Sequence, residues 1–160
     1  MKKLDLNIFL YEYNLQELDN TDIQLLEKAK QACNNAYAPY SNFRVGAAII
    51  LDNGNIILGS NQENAAYPSG MCAERTAIFA AGANNPGVAI NTIAVTACKQ
   101  NTNIHTPVSP CGACRQAILE YEVKQQSPIR IILMGKDDKI YISPSISNLL
   151  PIQFSAQQLK

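Results

Sequence analysis

The chain lacks net charge, a membrane-length apolar run, internal repeats and low-complexity segments. Lys plus Arg and Asp plus Glu both number 13. Nucleic-acid binding draws on a concentrated positive field, so this balance argues against a polynucleotide partner. A bilayer span needs about 20 consecutive apolar residues, and no such run occurs, so no membrane partner is expected. The opening Met1-Lys2-Lys3-Leu4-Asp5-Leu6-Asn7 soon turns acidic, and no small-residue cleavage site follows it. A cytoplasmic location is the expectation. An even cysteine count is also missing. Five cysteines without an export signal fit poorly with a disulfide framework.

What is present is an ordinary globular composition, 47% hydrophobic and 16% charged over 160 residues, enough for one domain with a real core. Residues 1–20 mix Tyr, Leu, Phe and acids without a clear period. They read as an N-terminal arm, extended or forming an edge strand, ahead of a domain spanning 21–160. Residues 21–37 predict a helix, with Ile23, Leu26, Ala29, Lys30 and Cys33 at helical spacing, a cap at Asn20 or Thr21, and Pro39 ending it. Residues 43–51 and 55–60 are apolar runs joined by Asp52-Asn53-Gly54, a hairpin signal. A second helix is expected over 72–82 with Gly82 as its stop, and a third over 111–121. Residues 90–98 and 129–134 read as buried strands, with a short strand near 140–142. The order implies an α/β layered domain with a mixed sheet of five strands flanked by helices, the later strands separated by helices running parallel.

Two segments carry the chemistry: Cys72-Ala73-Glu74-Arg75 and Pro110-Cys111-Gly112-Ala113-Cys114-Arg115-Gln116. A Cys-x-x-Cys at a helix start can place both sulfurs on one metal, with thiolates favoured by the helix N-terminal field. Cys72 opens another predicted helix in the same way. Three thiolates fill three corners of a tetrahedral zinc and leave one for water. A fourth ligand from His105, the only histidine, would close the site and make it structural. Glu74, two residues beyond a ligand, can approach the metal without binding it and suits a general base. A metal ligand-x-Glu followed later by Pro-Cys-x-x-Cys is the pattern of zinc deaminases, with three cysteines an accepted ligand set. Cys33 and Cys98 lie in apolar stretches and read as small core residues.

With these motifs, the chain resembles the small cytidine deaminases that assemble as homotetramers, from about residue 29 to 154. The matching stretches are 38–48, 61–68, the two cysteine segments and 149–154; the first twenty residues have no counterpart. The resemblance implies hydrolytic deamination of cytidine and deoxycytidine in pyrimidine salvage, with one zinc per chain on Cys72, Cys111 and Cys114. It implies that Glu74 shuttles protons, that Asn61 and Glu63 bind the ribose 3′-hydroxyl, and that Phe43 packs on the pyrimidine. It further implies that the backbone at Ala73 meets the base edge, that Arg75 hydrogen-bonds ligand sulfurs, and that Phe154 reaches a neighbour's pocket. Arg115 and Gln116 follow a ligand, but the sequence leaves their direction open. Retention of both Asn61 and Glu63 favours a plain nucleoside over a modified cytosine-like substrate. Glu74 weighs against a purely structural zinc module.

Overall fold

Each face of the central strands is apolar, so the sheet has to be covered on both sides. The computed structural model describes residues 1–99, 108–134 and 139–159, together with the backbone of 105–106. In chain order the elements are β1 (Tyr11–Asn14), α1 (Asn20–Cys33), β2 (Phe43–Leu51), β3 (Ile56–Ser60), α2 (Ala73–Asn84) and β4 (Ile90–Lys99). There follow β5 (His105–Thr106), α3 (Gly112–Gln125), β6 (Arg130–Met134), β7 (Lys139–Ser143) and the short α4 (Ile146–Leu149). The strands form one mixed sheet in the order β1-β7-β6-β4-β2-β3, with β5 pairing β4 off this path. On one face, Leu25, Leu26 and Ala29 of α1 pack against Ala48, Ala94 and Ile132. On the other, Ala73, Ala77 and Ile78 of α2 and Ile118 and Leu119 of α3 cover Ala47, Ile93, Val95 and Ile131.

The layered α/β class agrees with the sequence reading, and so does the parallel pairing of β4 with β6 across α3. The count of five strands is corrected to seven. One addition is β5. The other is β1, inside the segment read as an extended arm or an edge strand; it is an edge strand, antiparallel to β7 from Tyr11↔Ile142 to Asn14↔Lys139. Of its Tyr-Glu-Tyr-Asn sequence only Tyr13 packs inward, and it is half-buried, because the strand lies at the sheet edge. β7 runs antiparallel to β6.

Three helix limits also move. α1 starts under the cap of Asp19, whose side chain accepts from the Asp22 N–H at 2.8 Å, and stops at Cys33 instead of 37. It stops because Tyr37 is drawn into another pairing: its N–H donates to Asn61 O at 3.0 Å, and its carbonyl accepts from Glu63 N at 2.8 Å. α2 runs through Gly82 to Asn84. Gly82 is a contact rather than a stop, since a Cβ there would lie 2.4 Å from the Tyr121 hydroxyl oxygen of α3. α3 continues to Gln125 and ends at Gln126, which has φ 56°.

α4 is held by an acid that the sequence does not advertise. Glu122 of α3 is only 7% exposed. Its carboxylate accepts from Ile129 N at 2.7 Å, Ile146 N at 3.0 Å, Ser147 N at 3.1 Å and Ser145 Oγ at 2.7 Å, and from Ser147 Oγ as well. A buried carboxylate is tolerated when its lone pairs are filled in this way. Among the described residues, no helix is long and apolar enough to cross a membrane.

Gly59 sets where α2 begins. A Cβ at this β3 position would fall 2.3 Å from Ala73 O and 2.5 Å from Ala77 N, so the first turn of α2 lies directly on the strand backbone. Over-packing of this kind costs roughly 1–3 kcal/mol. Gly59→Ala should therefore lower stability by about that amount in urea unfolding. A loss below about 0.5 kcal/mol would mean that helix and strand can move apart freely.

Candidate active site

The helices α2 and α3 start at the same end of the sheet, beyond the carboxyl ends of β3 and β4, where α/β sheets form their crevices. Cys72 is the N-cap residue of α2 and Cys111 that of α3, and neither sulfur caps its own helix. Cys114 lies in the first turn of α3 and is fully buried. The three Sγ atoms lie within 4.8 Å of one another, with 3.5 Å between those of Cys111 and Cys114.

Hydrogen bonds within this cluster favour the thiolate of Cys72. Cys72 is brought down to about 5, chiefly by a hydrogen bond from Cys114 and then by Arg75, whose Nη2 donates to its sulfur at 3.7 Å. Cys114 is correspondingly pushed up, first by donating to Cys72 and then by burial and the nearby Glu74. Arg75 is raised by the same bond to Cys72, and its Nε is a buried donor left without a partner. Three soft donors on two converging helix N-termini, with a cation beside them, suit a thiophilic divalent ion such as zinc.

Glu74 is 5% exposed, and burial raises its carboxyl above the ordinary range, helped by charge on Cys72. It borders a cavity of about 560 Å³ that is also lined by Cys72, Ala73, Arg75 and Cys111, by Val45, and by Asn61 and Glu63. The segment carrying Asn61 and Glu63 is pinned on both flanks. Tyr37 holds one side, and Gln62 exchanges two 2.8 Å backbone bonds with Met71 on the other. Asn61 Oδ1 accepts from Val45 N at 2.7 Å, and its Nδ2 donates to Phe43 O at 2.9 Å, so its amide extends the ladder of β2. Glu63 accepts from Tyr40 N at 2.8 Å, from Ser41 N at 3.3 Å and from Ser41 Oγ. The Ser41 bond, followed by the Tyr40 bond, lowers its carboxyl below the usual range.

Two predicted contacts stand elsewhere. Phe43 is half-buried on β2, two residues from Val45 and so on the same strand face, but it is not among the residues lining the cavity. Phe154 is 58% exposed, and its carbonyl accepts from Gln116 Nε2 at 2.8 Å. Cys33 and Cys98 are buried, and burial together with Cys98 pushes the Cys33 thiol up to about 12, where it stays protonated. The His105 side chain lies outside the described residues.

Sequence reasoning overlooked Val108, Ser109, Gln62 and Met71 as cavity-lining residues, and Ser41 as the support of Glu63. All five sit in loops or at seams, where no periodicity marks them. Only their place beside the motif residues could have drawn attention to them.

Comparison with known proteins agrees with this geometry. The family described as cytidine and deoxycytidylate deaminase zinc-binding region matches residues 19–127. A cytidine deaminase of Halalkalibacterium halodurans is 38% identical over 145 residues, covering 84% of this chain and 95% of its own length. One from Sporosarcina psychrophila is 39% identical over 137 residues, with 85% and 93% covered. The crystal structure of cytidine deaminase from Burkholderia pseudomallei is 39% identical and has a TM-score of 0.70, covering 86% of this chain and 100% of its own.

Metal analysis of the purified protein should find one zinc per chain. Cys72→Ala, Cys111→Ala or Cys114→Ala should each lose it together with stability, since the ion fastens two helix starts. Full occupancy after any one of these changes would remove that cysteine from the ligand set.

Proposed function

The chain belongs to the cytidine and deoxycytidylate deaminase zinc-binding family, and we propose that it hydrolyses cytidine and deoxycytidine to uridine and deoxyuridine with release of ammonia. Pyrimidine salvage is the role that such a reaction serves. The observation that carries this reading is a buried carboxyl, Glu74, beside three clustered thiols on the wall of a cavity large enough for a nucleoside. Bound zinc supplies a Lewis acid that lowers the pKa of water towards about 7.

Glu74 takes up the proton that the attacking water gives away and delivers it to N3 of the ring. The carboxylate then takes the second proton from the new C4 hydroxyl as the carbonyl forms there and the C4–N bond breaks, and passes it to the amine, which leaves as ammonia. Burial raises its pKa and makes it a better proton acceptor than an ordinary carboxylate, which suits this duty. Arg75 offsets the charge of three thiolates from beside Cys72. The backbone at Ala73, on the cavity wall, meets the base edge.

At the far end of the cavity, Glu63 and Asn61 take the ribose 3′-hydroxyl. Tyr40 and Ser41 hold the Glu63 carboxylate in place and leave it acceptor capacity to spare. An acid at this end disfavours a phosphorylated substrate. Phe43 shares a strand face with the cavity residue Val45, which supports its contact with the pyrimidine.

The working unit in this reading is a homotetramer in which Phe154 completes a neighbour's pocket. Its exposure in the single chain supports a partner. Removal of residues 152–160 should weaken nucleoside binding in a spectrophotometric assay, while sedimentation reports the assembly. A native protein that sediments as an active monomer would end the shared-site reading.

Glu74→Gln should fold, keep its zinc and bind nucleoside, while turnover falls by roughly 10²–10⁴-fold or more. Turnover followed by the ultraviolet change from cytidine to uridine checks this. Activity within about tenfold of wild type would assign the proton transfer to another group.

A further inference from the structure

Of the three cysteines at the metal centre, Cys111 is the exposed one. It stands where an irregular segment, Val108-Ser109-Pro110, turns into α3, and no side chain caps that helix. A ligand carried on such a turn holds its place only if the turn itself is fixed. The side chain that meets this turn belongs to Arg115, one residue beyond the ligand Cys114.

We propose that Arg115 is a positioning residue for the metal-binding turn: its guanidinium holds residues 109–111 in the shape that keeps Cys111 against Cys72 and Cys114. The inference rests on the reading of these three cysteines as zinc ligands.

The geometry is that of a clamp. Nε of Arg115 donates to Pro110 O, Nη2 to Ser109 Oγ and Nη1 to Leu149 O, each at 2.8 Å. Its backbone N–H donates to Cys111 O at 2.9 Å. Two of the three side-chain bonds reach the two residues before Cys111, and the third ties the same plane to the end of α4. A planar guanidinium sets the relative positions of three acceptors at once, as a flexible ammonium does not.

The two arginines that follow ligands therefore do different work. Arg75 donates to a sulfur and so acts on the charge of the cluster. Each side-chain nitrogen of Arg115 donates to an oxygen and so acts on the backbone that carries a ligand. Ser109 lines the cavity, so the same clamp also shapes part of its wall.

The test compares zinc-loaded wild type with Arg115→Ala, Arg115→Lys and Asn148→Ala. The readouts are the rate of zinc release to a chromogenic chelator, and kcat and KM for cytidine. Asn148 anchors α4 elsewhere, donating to Phe9 O at 2.7 Å and Ser143 Oγ at 2.8 Å, so its variant loosens α4 without touching the turn.

Partners that orient metal ligands are worth roughly 10–100-fold in affinity or activity, and zinc release from Arg115→Ala should be faster by about that factor. Arg115→Lys should stay close to Arg115→Ala, and Asn148→Ala close to wild type. Full rescue by lysine would assign the effect to charge and overturn the clamp. Equally fast release from Asn148→Ala would assign it to α4 and overturn the clamp as well, as would unchanged release from Arg115→Ala. If Arg115→Ala does not accumulate folded, Arg115→Lys and Ser109→Ala carry the test, with faster release expected from both. A wild-type chain that holds no zinc would instead sink the metal reading itself, which its metal content reports separately.

Discussion

Three sulfurs can share one ion only if two helix starts converge to within a few ångströms, and the remaining architecture follows from meeting that demand. Helix N-termini repel one another electrostatically and carry unsatisfied N–H groups. Bringing two of them together is tolerable where negative charge gathers between them. Here the thiol cluster supplies that charge, and the half-buried Arg75 limits its excess. The sheet supplies the scaffold. β3 and β4 both run antiparallel to β2, so the elements that follow them begin at one end of the sheet. Gly59 lets α2 lie against the β3 backbone, and Gly82 lets α3 approach α2.

The parts of this arrangement visible in the sequence are those with a local signature. Continuous apolar runs announced β4 and β6, Asp52-Asn53-Gly54 announced the hairpin, and the spacing of the cysteines announced a shared metal. What stayed hidden depends on contacts between distant segments. β1 turns only Tyr13 toward the core, so its pairing with β7 leaves no alternation to read. The stop of α1 at Cys33 is decided by Tyr37 bonding to residues 61 and 63, some 25 positions away. Gly82 carries the usual mark of a helix end, yet its missing Cβ serves Tyr121. Propensity gives way in each case to tertiary packing.

Within the candidate site the same division holds. The ligand set and Glu74 follow from spacing, because chemistry fixes which residue types can occupy those offsets. The supports of the site do not. Nothing about Ser41 on its own suggests that it steadies a carboxylate 22 residues later, and nothing about Arg115 reveals which way its guanidinium turns. Asn61 is the intermediate case: its amide is spent largely on β2, which fixes its position and leaves part of its bonding capacity free.

The Glu122 carboxylate has a consequence for how the molecule opens. Four of its five hydrogen bonds come from residues 145–147. Lifting α4 away would strip a buried charge of most of its donors in one step, so partial detachment is as unfavourable as complete detachment. Separate small openings are thereby merged into one larger event. α4, the end of α3 and the residues leading into β6 all converge on this one carboxylate. Residues 145–147 therefore leave Glu122 together or not at all, and α4, only four residues long, owes its persistence to an acid on another helix.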